Sequence, residues 1–283
     1  MKYHHIKIIT NTKKNHSYFS GSMFRGALGY ALKKIVCINP SYKCEGCFAK
    51  ESCLYYDFYE LKNVTHPYRL DIELGKDDYS FGLYLFENAC DKLPYVLSAI
   101  HQMLTVQGLG RDNEKLTEFS ITVNGQDVYN GTDFSLETCR FGNTEQDFLT
   151  NKKFGVTEPT NILLKLKTPL RMKKNNRFLK DDVDLEEILR SINQRESQLK
   201  GDASYVKLDF KPSYTVISKN LEHKTLVRRS NRQKTHMNMD GVIGEMVLAG
   251  VDAKSYELLK LGEVIGVGKQ TVMGLGKIEV VEF

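Results

Sequence analysis

The chain has 283 residues, of which 41% are hydrophobic, and its 40 Lys and Arg residues against 35 Asp and Glu residues give a net charge of +5. This length and composition indicate a folded chain with one large domain or two of ordinary size. No apolar run approaches the ~18 residues of a membrane span, and the sequence MKYHHIKIITNTKKN lacks the apolar region of a signal peptide. We therefore expect a cytoplasmic protein without membrane contact.

The first half of the chain predicts one ferredoxin-like unit. In chain order, the pattern predicts a strand in KYHHIKIIT, a helix in SMFRGALGYALKKIV, a hairpin of RLDIELG and SFGLYLF, a helix in DKLPYVLSAIHQML and a strand in EFSITV. Pro94 is tolerable only in the first turn of its helix. The order of strand, helix, hairpin, helix and strand is the βαββαβ arrangement of ferredoxin-like folds.

Four of the six cysteines lie close together after the first predicted helix, in an insertion of about residues 37–60. A cytoplasmic chain keeps its thiols reduced, so metal ligation is a better interpretation than disulfides. Four thiolates can close a structural zinc site or, as a weaker alternative, hold an iron–sulfur cluster, although the spacing matches no cluster signature well. The other interpretation is four reduced thiols in a loop. The four residues are Cys37, Cys44, Cys47 and Cys53.

The second half repeats the same order of elements. The pattern predicts a strand in ILLKLKTPLRM, a helix in DLEEILRSINQRESQLKG, extended segments in ASYVKLDF, TLVRRSN and GVIGEMVLA, a helix in DAKSYELLKLG and a final strand in KIEVV. Asp184 is the predicted cap of the first of these helices, and TLVRRSN with GVIGEMVLA forms the predicted long hairpin. The fold class is therefore α+β, with two tandem ferredoxin-like, RRM-like domains over residues 1–150 and 151–283.

Two stretches of the second half carry cations without acids. Residues 165–180 contain seven cations, and residues 224–234 contain five. Such runs are typical of surfaces that face a polyanion, although a solvated charged face is the alternative.

A glycine-rich stretch, GVGKQTVMGLGK, precedes the final strand. It lacks the GxxxxGK[ST] frame, and Thr271 replaces the third glycine of GxGxxG. Both nucleotide-binding loops also need a following helix, whereas only a strand follows here. The stretch is therefore either a ligand-contacting turn of another kind or a tight structural turn.

Taken together, these patterns resemble the CRISPR-associated RAMP proteins, and most closely the endoribonuclease that cuts precursor CRISPR RNA within its repeats. The resemblance rests on the tandem ferredoxin-like order, the C-terminal GxGxxTxxGLGK loop, RRSNRQK followed by GVIGEMVLAG, and the early SMFRGALGYAL. It implies that the glycine-rich loop, residues 266–276, lies against RNA and that Lys269 reaches a phosphate. The glycines that shape this loop are Gly266, Gly268, Gly274 and Gly276.

The resemblance also implies cleavage without a metal, by attack of a 2′-hydroxyl on the adjacent phosphate to leave a cyclic phosphate. This chemistry needs a base, an acid and cations, and histidine suits the first two roles. Relatives commonly place the catalytic histidine between the first strand and first helix, where this chain has His16, with Tyr18 and Arg25 as assisting residues. His236, after the basic run, is the second candidate. His66 and His223 have no supporting constellation in the sequence.

One departure from the family bears on catalysis, because relatives often carry a histidine where this chain has Gly266. The alternative function is therefore a non-catalytic RAMP subunit that binds RNA in a CRISPR effector complex. The expected partners are CRISPR repeat RNA and other effector-complex subunits, and no cofactor is expected for catalysis. The predicted RNA-binding residues, besides the loop, are Arg171, Lys173, Lys174, Arg177, Arg228, Arg229, Asn231, Arg232, Gln233 and Lys234.

Overall fold

A computed structural model of the chain describes residues 1–13, 18–110, 112–137, 139–143, 159–174, 176–230 and 235–283, and for residues 228–230 and 235–237 it describes the backbone alone. The chain divides into two compact units, Met1–Gly142 and Asn143–Phe283. Each unit contains an antiparallel sheet and α-helices. The polar stretch in which the sequence places the domain boundary, residues 145–160, lies almost entirely outside the described residues.

The first unit has the strand order of a ferredoxin-like fold. Its sheet runs β2-β3-β1-β4-β5, and β6 pairs with β1. The strands are β1 (Lys2–Ile9), β2 (Tyr68–Asp71), β3 (Phe81–Phe86), β4 (Ser120–Val123), β5 (Gln126–Tyr129) and β6 (Gly142–Asn143), and the helices are α1 (Gly21–Val36) and α2 (Leu93–Gln102). The predicted strand, helix, hairpin, helix and strand are all present, and β2 with β3 forms the predicted hairpin.

Alternation along β1 builds the core of this unit. Ile6 and Ile8 are 0% and 1% exposed, and they pair in register with Leu83 and Phe81 of β3. Phe24 of α1 stacks on Phe81 with ring centroids 4.3 Å apart. Burying each such side chain contributes about 1.5–3 kcal/mol relative to exposure, so the apolar period of two fixes which face of β1 turns inward.

The second unit has the same topology. Its main sheet runs β10-β13-β7-β14, and two separate two-stranded hairpins are formed by β8 with β9 and by β11 with β12. The strands are β7 (Thr160–Leu170), β8 (Lys173–Lys174), β9 (Arg177–Phe178), β10 (Thr215–Lys224), β11 (Val227–Ser230), β12 (Thr235–Asn238), β13 (Gly241–Val251) and β14 (Ile278–Glu282), and the described helices are α3 (Leu185–Leu199) and α4 (Ala253–Ile265). The predicted class, two tandem ferredoxin-like folds, is confirmed.

Polar side chains define where the helices of this unit begin. Asp184 caps α3 in a capping box with Glu187, as predicted. Asp252 caps α4 by accepting a hydrogen bond from the backbone N–H of Ser255 at 3.0 Å. None of the described helices is long and apolar enough to cross a membrane.

Two predictions about extended segments are wrong, namely the pairing of TLVRRSN with GVIGEMVLA and the strand in ASYVKLDF. The partner of β13 is β10, not the segment TLVRRSN, which instead forms β11 of the small hairpin with β12. The strand β10 is an edge strand whose residues are nearly all exposed, so it lacks the apolar alternation that marks a strand in sequence. The segment ASYVKLDF is not a strand, because the Gln194 side chain of α3 accepts from the N–H of Val206 at 2.9 Å and donates to the carbonyl of Ser204 at 2.7 Å.

Candidate functional site

The glycine-rich loop turns the chain tightly from α4 into β14. Gly268 has φ +76°, and a Cβ there would lie 2.7 Å from the carbonyl oxygen of Arg171. Gly276 has φ +71°, and its Cβ would lie 1.8 Å from the oxygen of Val267. Only glycine fits these two positions, because both the left-handed backbone and the close approach exclude a side chain.

Three backbone N–H groups of the loop hold it against the rest of the unit. Gly268 donates to Ser191 Oγ of α3 at 3.0 Å. Lys269 and Gly276 donate to the carbonyl oxygens of Arg171 and Pro169, at 2.9 and 3.1 Å. These amides are used within the fold, so the geometry favours the structural interpretation of the glycines. The exposed side chain of Lys269 is the part of the loop that faces solvent.

A cluster of one arginine, one aspartate and one histidine lies next to this loop. Arg171 Nη1 donates to Asp240 Oδ1 at 2.5 Å and to the Asp240 carbonyl at 3.0 Å. His223 Nε2 lies 3.3 Å from Asp240 Oδ2, and the Arg171 guanidinium lies 3.9 Å from the centre of the Phe178 ring. We call Arg171, Asp240 and His223 the Asp240 cluster.

The carboxylate of this cluster is ionised at neutral pH. Burial acts to raise the pKa of Asp240, but the hydrogen bond from Arg171, with smaller contributions from the Asp240 backbone and His223, outweighs burial and lowers the pKa below the ordinary value of 3.8. The side chains of Arg171 and Asp240 are only 14% and 22% exposed. Arg171, which the sequence analysis assigned to phosphate contact, is therefore engaged inside the protein.

Sequence reasoning missed the surroundings of His223. This residue lies near the end of β10, opposite Val242 of β13 in the register, and Asp240 comes just before β13. The contact between His223 and Asp240 depends on that register. Because β10 was not predicted as the partner of β13, no signal in the sequence indicated the contact between His223 and Asp240.

The acid-free run of residues 165–180 is not acid-free in space. Lys174 Nζ lies 2.7 Å from Glu187 Oε1 of α3, and Lys167 Nζ lies 3.5 Å from Glu279 of β14. Lys173 and Arg177, on the β8–β9 hairpin, are exposed. The part of this run that faces solvent is therefore smaller than the sequence suggests, and it is concentrated on the hairpin.

The described part of the basic run of residues 224–234 contributes β11 to the second small hairpin. Arg228 and Arg229 belong to β11, and Arg229 lies opposite His236 of β12 in the register. The backbone N–H of Met239 donates to the carbonyl of Leu226 at 2.8 Å and closes the base of the hairpin. Four predicted RNA-binding residues, Asn231, Arg232, Gln233 and Lys234, lie outside the described residues.

In the first unit, the loop between β1 and α1 is only partly described, and His16 lies outside the described residues. Tyr18 is 50% exposed, and its carbonyl accepts from the N–H of Gly75 at 2.9 Å. A Cβ at Gly75 would lie 2.9 Å from the Tyr18 ring. The turn between β2 and β3 therefore supports the position of Tyr18.

Arg25, the other predicted assisting residue, belongs to an aromatic group. Its guanidinium lies 4.7 Å from the centre of the Tyr59 ring, and the Tyr59 hydroxyl donates to the Arg25 carbonyl at 3.0 Å. Burial is the main cause that raises the pKa of Tyr59 well above its ordinary value. The contact with Tyr59 gives Arg25 a packing role.

The structure does not bring the four clustered cysteines together as a ligand set. All are half-buried free thiols. Tight turns shape the segment, in which the N–H of Cys47 donates to the carbonyl of Cys44 at 3.3 Å and that of Cys53 donates to Lys50 at 3.4 Å. A zinc site needs four ligands at about 2.0–2.3 Å from one point, yet no three His, Cys, Asp or Glu side chains in the described part of the chain are arranged to hold a metal. The predicted zinc or iron–sulfur site is thus not supported.

Two family models match parts of the chain. Residues 164–278 match the model of the CRISPR-associated endoribonuclease Cas6, and residues 1–140 match a model described as an N-terminal domain. An uncharacterized protein from Archaeoglobus fulgidus is 24% identical over 280 residues, which cover 91% of this chain and 90% of the relative.

Comparison with solved structures shows the same fold. Cas6 from Thermus thermophilus has a TM-score of 0.54 at 13% identity and aligns over 99% of this chain and 98% of its own. A partial Cas6-RT-Cas1–Cas2 complex has a TM-score of 0.59 at 15% identity, and the whole chain aligns with it. The chain spans 46% of the length of that matched polypeptide, and 29% of the one in a further Cas6-RT-Cas1–Cas2 complex.

Proposed function

We propose that this protein binds CRISPR repeat RNA and cleaves precursor CRISPR RNA within the repeats, because residues 164–278 match the model of the CRISPR-associated endoribonuclease Cas6. The family match carries this proposal. It spans the glycine-rich loop, the basic hairpin β11–β12 and all three members of the Asp240 cluster.

The proposed reaction needs no metal. The 2′-hydroxyl next to the scissile phosphate loses its proton to a base and forms a bond to phosphorus, and the bond from phosphorus to the 5′-oxygen breaks as that oxygen gains a proton. The products carry a 2′,3′-cyclic phosphate and a 5′-hydroxyl. His16 is the proposed proton-transfer residue, and the exposed Tyr18 is the proposed hydroxyl that assists it.

Exposed cations of the second unit form the proposed RNA-binding surface. These exposed cations are Lys173 and Arg177 on the β8–β9 hairpin and Lys269 on the glycine-rich loop. The proposal adds to them the arginines that the sequence places in the basic hairpin β11–β12. Contacts of this kind attract and position an RNA backbone. Arg171 does not touch phosphate in this proposal. Its carbonyl positions the glycine-rich loop, and its guanidinium, through Asp240, positions the base of the basic hairpin.

A second candidate function is an RNA-binding subunit without nuclease activity. Two observations favour it: Gly266 stands where relatives often carry a histidine, and the Arg25 guanidinium packs on the Tyr59 ring. In either function the partners are CRISPR repeat RNA and further CRISPR proteins, such as those in the Cas6-RT-Cas1–Cas2 complexes that share the fold.

The experiment that separates the two functions uses purified protein, the host's repeat RNA and excess EDTA. Wild type, His16→Ala and His236→Ala are compared for cleavage and, in parallel, for RNA binding. Our proposal predicts one cut per repeat by wild type, loss of the cut but not of binding in His16→Ala, and retention of the cut in His236→Ala. Tight binding without cleavage by wild type, also after divalent metals are restored, would leave the RNA-binding subunit.

A further inference from the structure

We propose that His223 reads a ribose 2′-hydroxyl of the bound RNA, with its ring nitrogen Nδ1 as the hydrogen-bond acceptor. The inference rests on the proposed function, because it requires that RNA lies on the second unit. It assigns a role in specificity to a residue that the sequence analysis set aside.

The hydrogen bond to Asp240 fixes which ring nitrogen carries the proton. An ionised carboxylate only accepts hydrogen bonds, and His223 Nε2 lies 3.3 Å from Asp240 Oδ2. Nε2 is therefore the donor, and in the neutral ring Nδ1 is left as an acceptor. The carboxylate in turn is held by Arg171 at 2.5 Å, so the orientation of the imidazole is set by two contacts in series.

The position of His223 fits contact with RNA. Its side chain is 29% exposed, and it lies at the end of β10, directly before the basic hairpin β11–β12. Arg171 links the cluster to the glycine-rich loop, since its carbonyl accepts from the N–H of Lys269 at 2.9 Å. The proposal places the RNA strand between the basic hairpin and this loop, next to the imidazole.

The charge and hydrogen-bonding character of the cluster select the ligand group. Arg171 and Asp240 neutralise each other, so the cluster with a neutral imidazole has no net charge with which to attract a phosphate. A phosphate oxygen is an acceptor and gains nothing from the lone pair of Nδ1. A ribose 2′-hydroxyl can donate to that lone pair, and it is the group that distinguishes RNA from DNA.

The test is a double-mutant cycle between the protein and the RNA. Binding of a repeat RNA is measured at about pH 8, where free imidazole is neutral, for a series in which each nucleotide in turn lacks its 2′-hydroxyl. Every RNA also carries a 2′-deoxy nucleotide at the cleavage position, so that none is cut. The proteins are wild type, His223→Ala, His223→Gln and, as a control, Lys224→Ala.

For wild type we expect one nucleotide at which removal of the hydroxyl weakens binding by about three- to tenfold, the range of one ordinary hydrogen bond. His223→Ala should lose about the same factor on the full RNA and nothing further on that deoxy RNA. His223→Gln, whose amide oxygen is also an acceptor, should keep part of the sensitivity. Lys224→Ala, a change of charge next to the histidine, should weaken all RNAs by the same factor.

The inference would be overturned if the effect of His223→Ala on binding were independent of the 2′-hydroxyl at every nucleotide. If His223→Ala and each deoxy substitution simply add, while wild type binds RNA tightly, then His223 does not touch a ribose and the proposed function stands. If wild type does not bind repeat RNA at all, the proposed function itself fails. As a control for folding, His223→Ala should unfold at the same melting temperature as wild type.

Discussion

Replacement of Asp240 by Asn removes the charge at the centre of the Asp240 cluster and keeps the size of the side chain. Arg171 then loses its anionic partner, although the hydrogen bond from its guanidinium to the backbone carbonyl of residue 240 at 3.0 Å remains. The guanidinium cannot move to water without leaving the face of Phe178, which lies 3.9 Å away. The variant therefore leaves a half-buried cation uncompensated.

The exposure of the Arg171 and Asp240 side chains determines how much stability the variant should lose. An exposed ion pair contributes about 0–1 kcal/mol, and breaking a fully buried one costs about 3–5 kcal/mol. At 14% and 22% exposure, the hydrogen bond to the side chain of residue 240 is weakened to one with a neutral acceptor, and the hydrogen bond to its carbonyl is kept. We therefore expect Asp240→Asn to lower the free energy of unfolding of the second unit by about 2 kcal/mol. For a unit of this size that corresponds to a fall of roughly 6 °C in melting temperature.

The assay is urea unfolding followed by circular dichroism, since the chain contains no tryptophan. Asp181→Asn, at an exposed carboxylate in the same unit, is the control and should change stability by less than about 0.5 kcal/mol. The folded-state pKa of Asp240 lies below the unfolded value of 3.8. The stabilisation from its charge is thus complete well above pH 3.8 and is lost as the pH falls through the lowered folded-state value.

The difference between wild type and Asp240→Asn should shrink in the same pH window. Equal stability of Asp240→Asn and Asp181→Asn at neutral pH would show that the charge of Asp240 does not stabilise the second unit. A difference that persists unchanged at the lowest pH would show that the effect comes from packing and not from charge.

Three further predictions follow from the same structure. Gly276→Ala should prevent stable folding of the second unit. Gly201→Ala, at φ +97° with nothing within 4 Å of the added Cβ, should lower the unfolding free energy by only about 1 kcal/mol. Equal shifts of the two variants in thermal melts would contradict this difference. Arg177→Ala should reduce the salt dependence of RNA binding by about one counterion, and Lys174→Ala, whose ammonium is paired with an acid of α3, should reduce it less. Serine in place of any one clustered cysteine should leave the melting temperature and the zinc content of the purified protein unchanged, and stoichiometric zinc lost in such a variant would contradict the structure.

The sequence was sufficient to predict the helices and strands that bury an apolar face. The alternation of Ile6 and Ile8 in β1, the helical spacing in α1 and the capping residue Asp184 each have one good structural solution, and their order along the chain leaves few topologies. The tandem ferredoxin-like class could therefore be predicted without a structure. The strand β10 could not, because an exposed edge strand is held by backbone hydrogen bonds and not by apolar side chains.

The candidate site was less predictable because it depends on contacts between distant segments. Arg171 looked like a phosphate ligand in an acid-free run, and only the fold brings Asp240 to it from 69 residues away. The role of His223 depends on the register of β10 and β13. The cysteine spacing suggested a metal, but no metal-ligand group is found in the described part of the chain.

We propose that this protein cuts RNA by attack of a 2′-hydroxyl without a metal. The most direct test is to incubate wild-type protein in excess EDTA with two repeat RNAs that differ only by the 2′-hydroxyl on the 5′ side of the scissile phosphate. Our account predicts that both are bound with affinities within about tenfold, that the all-ribose RNA is cut once to a 2′,3′-cyclic phosphate, and that the deoxy RNA stays intact. Cleavage of the deoxy RNA at the same position, or cleavage that appears only when a divalent metal is added, would contradict it.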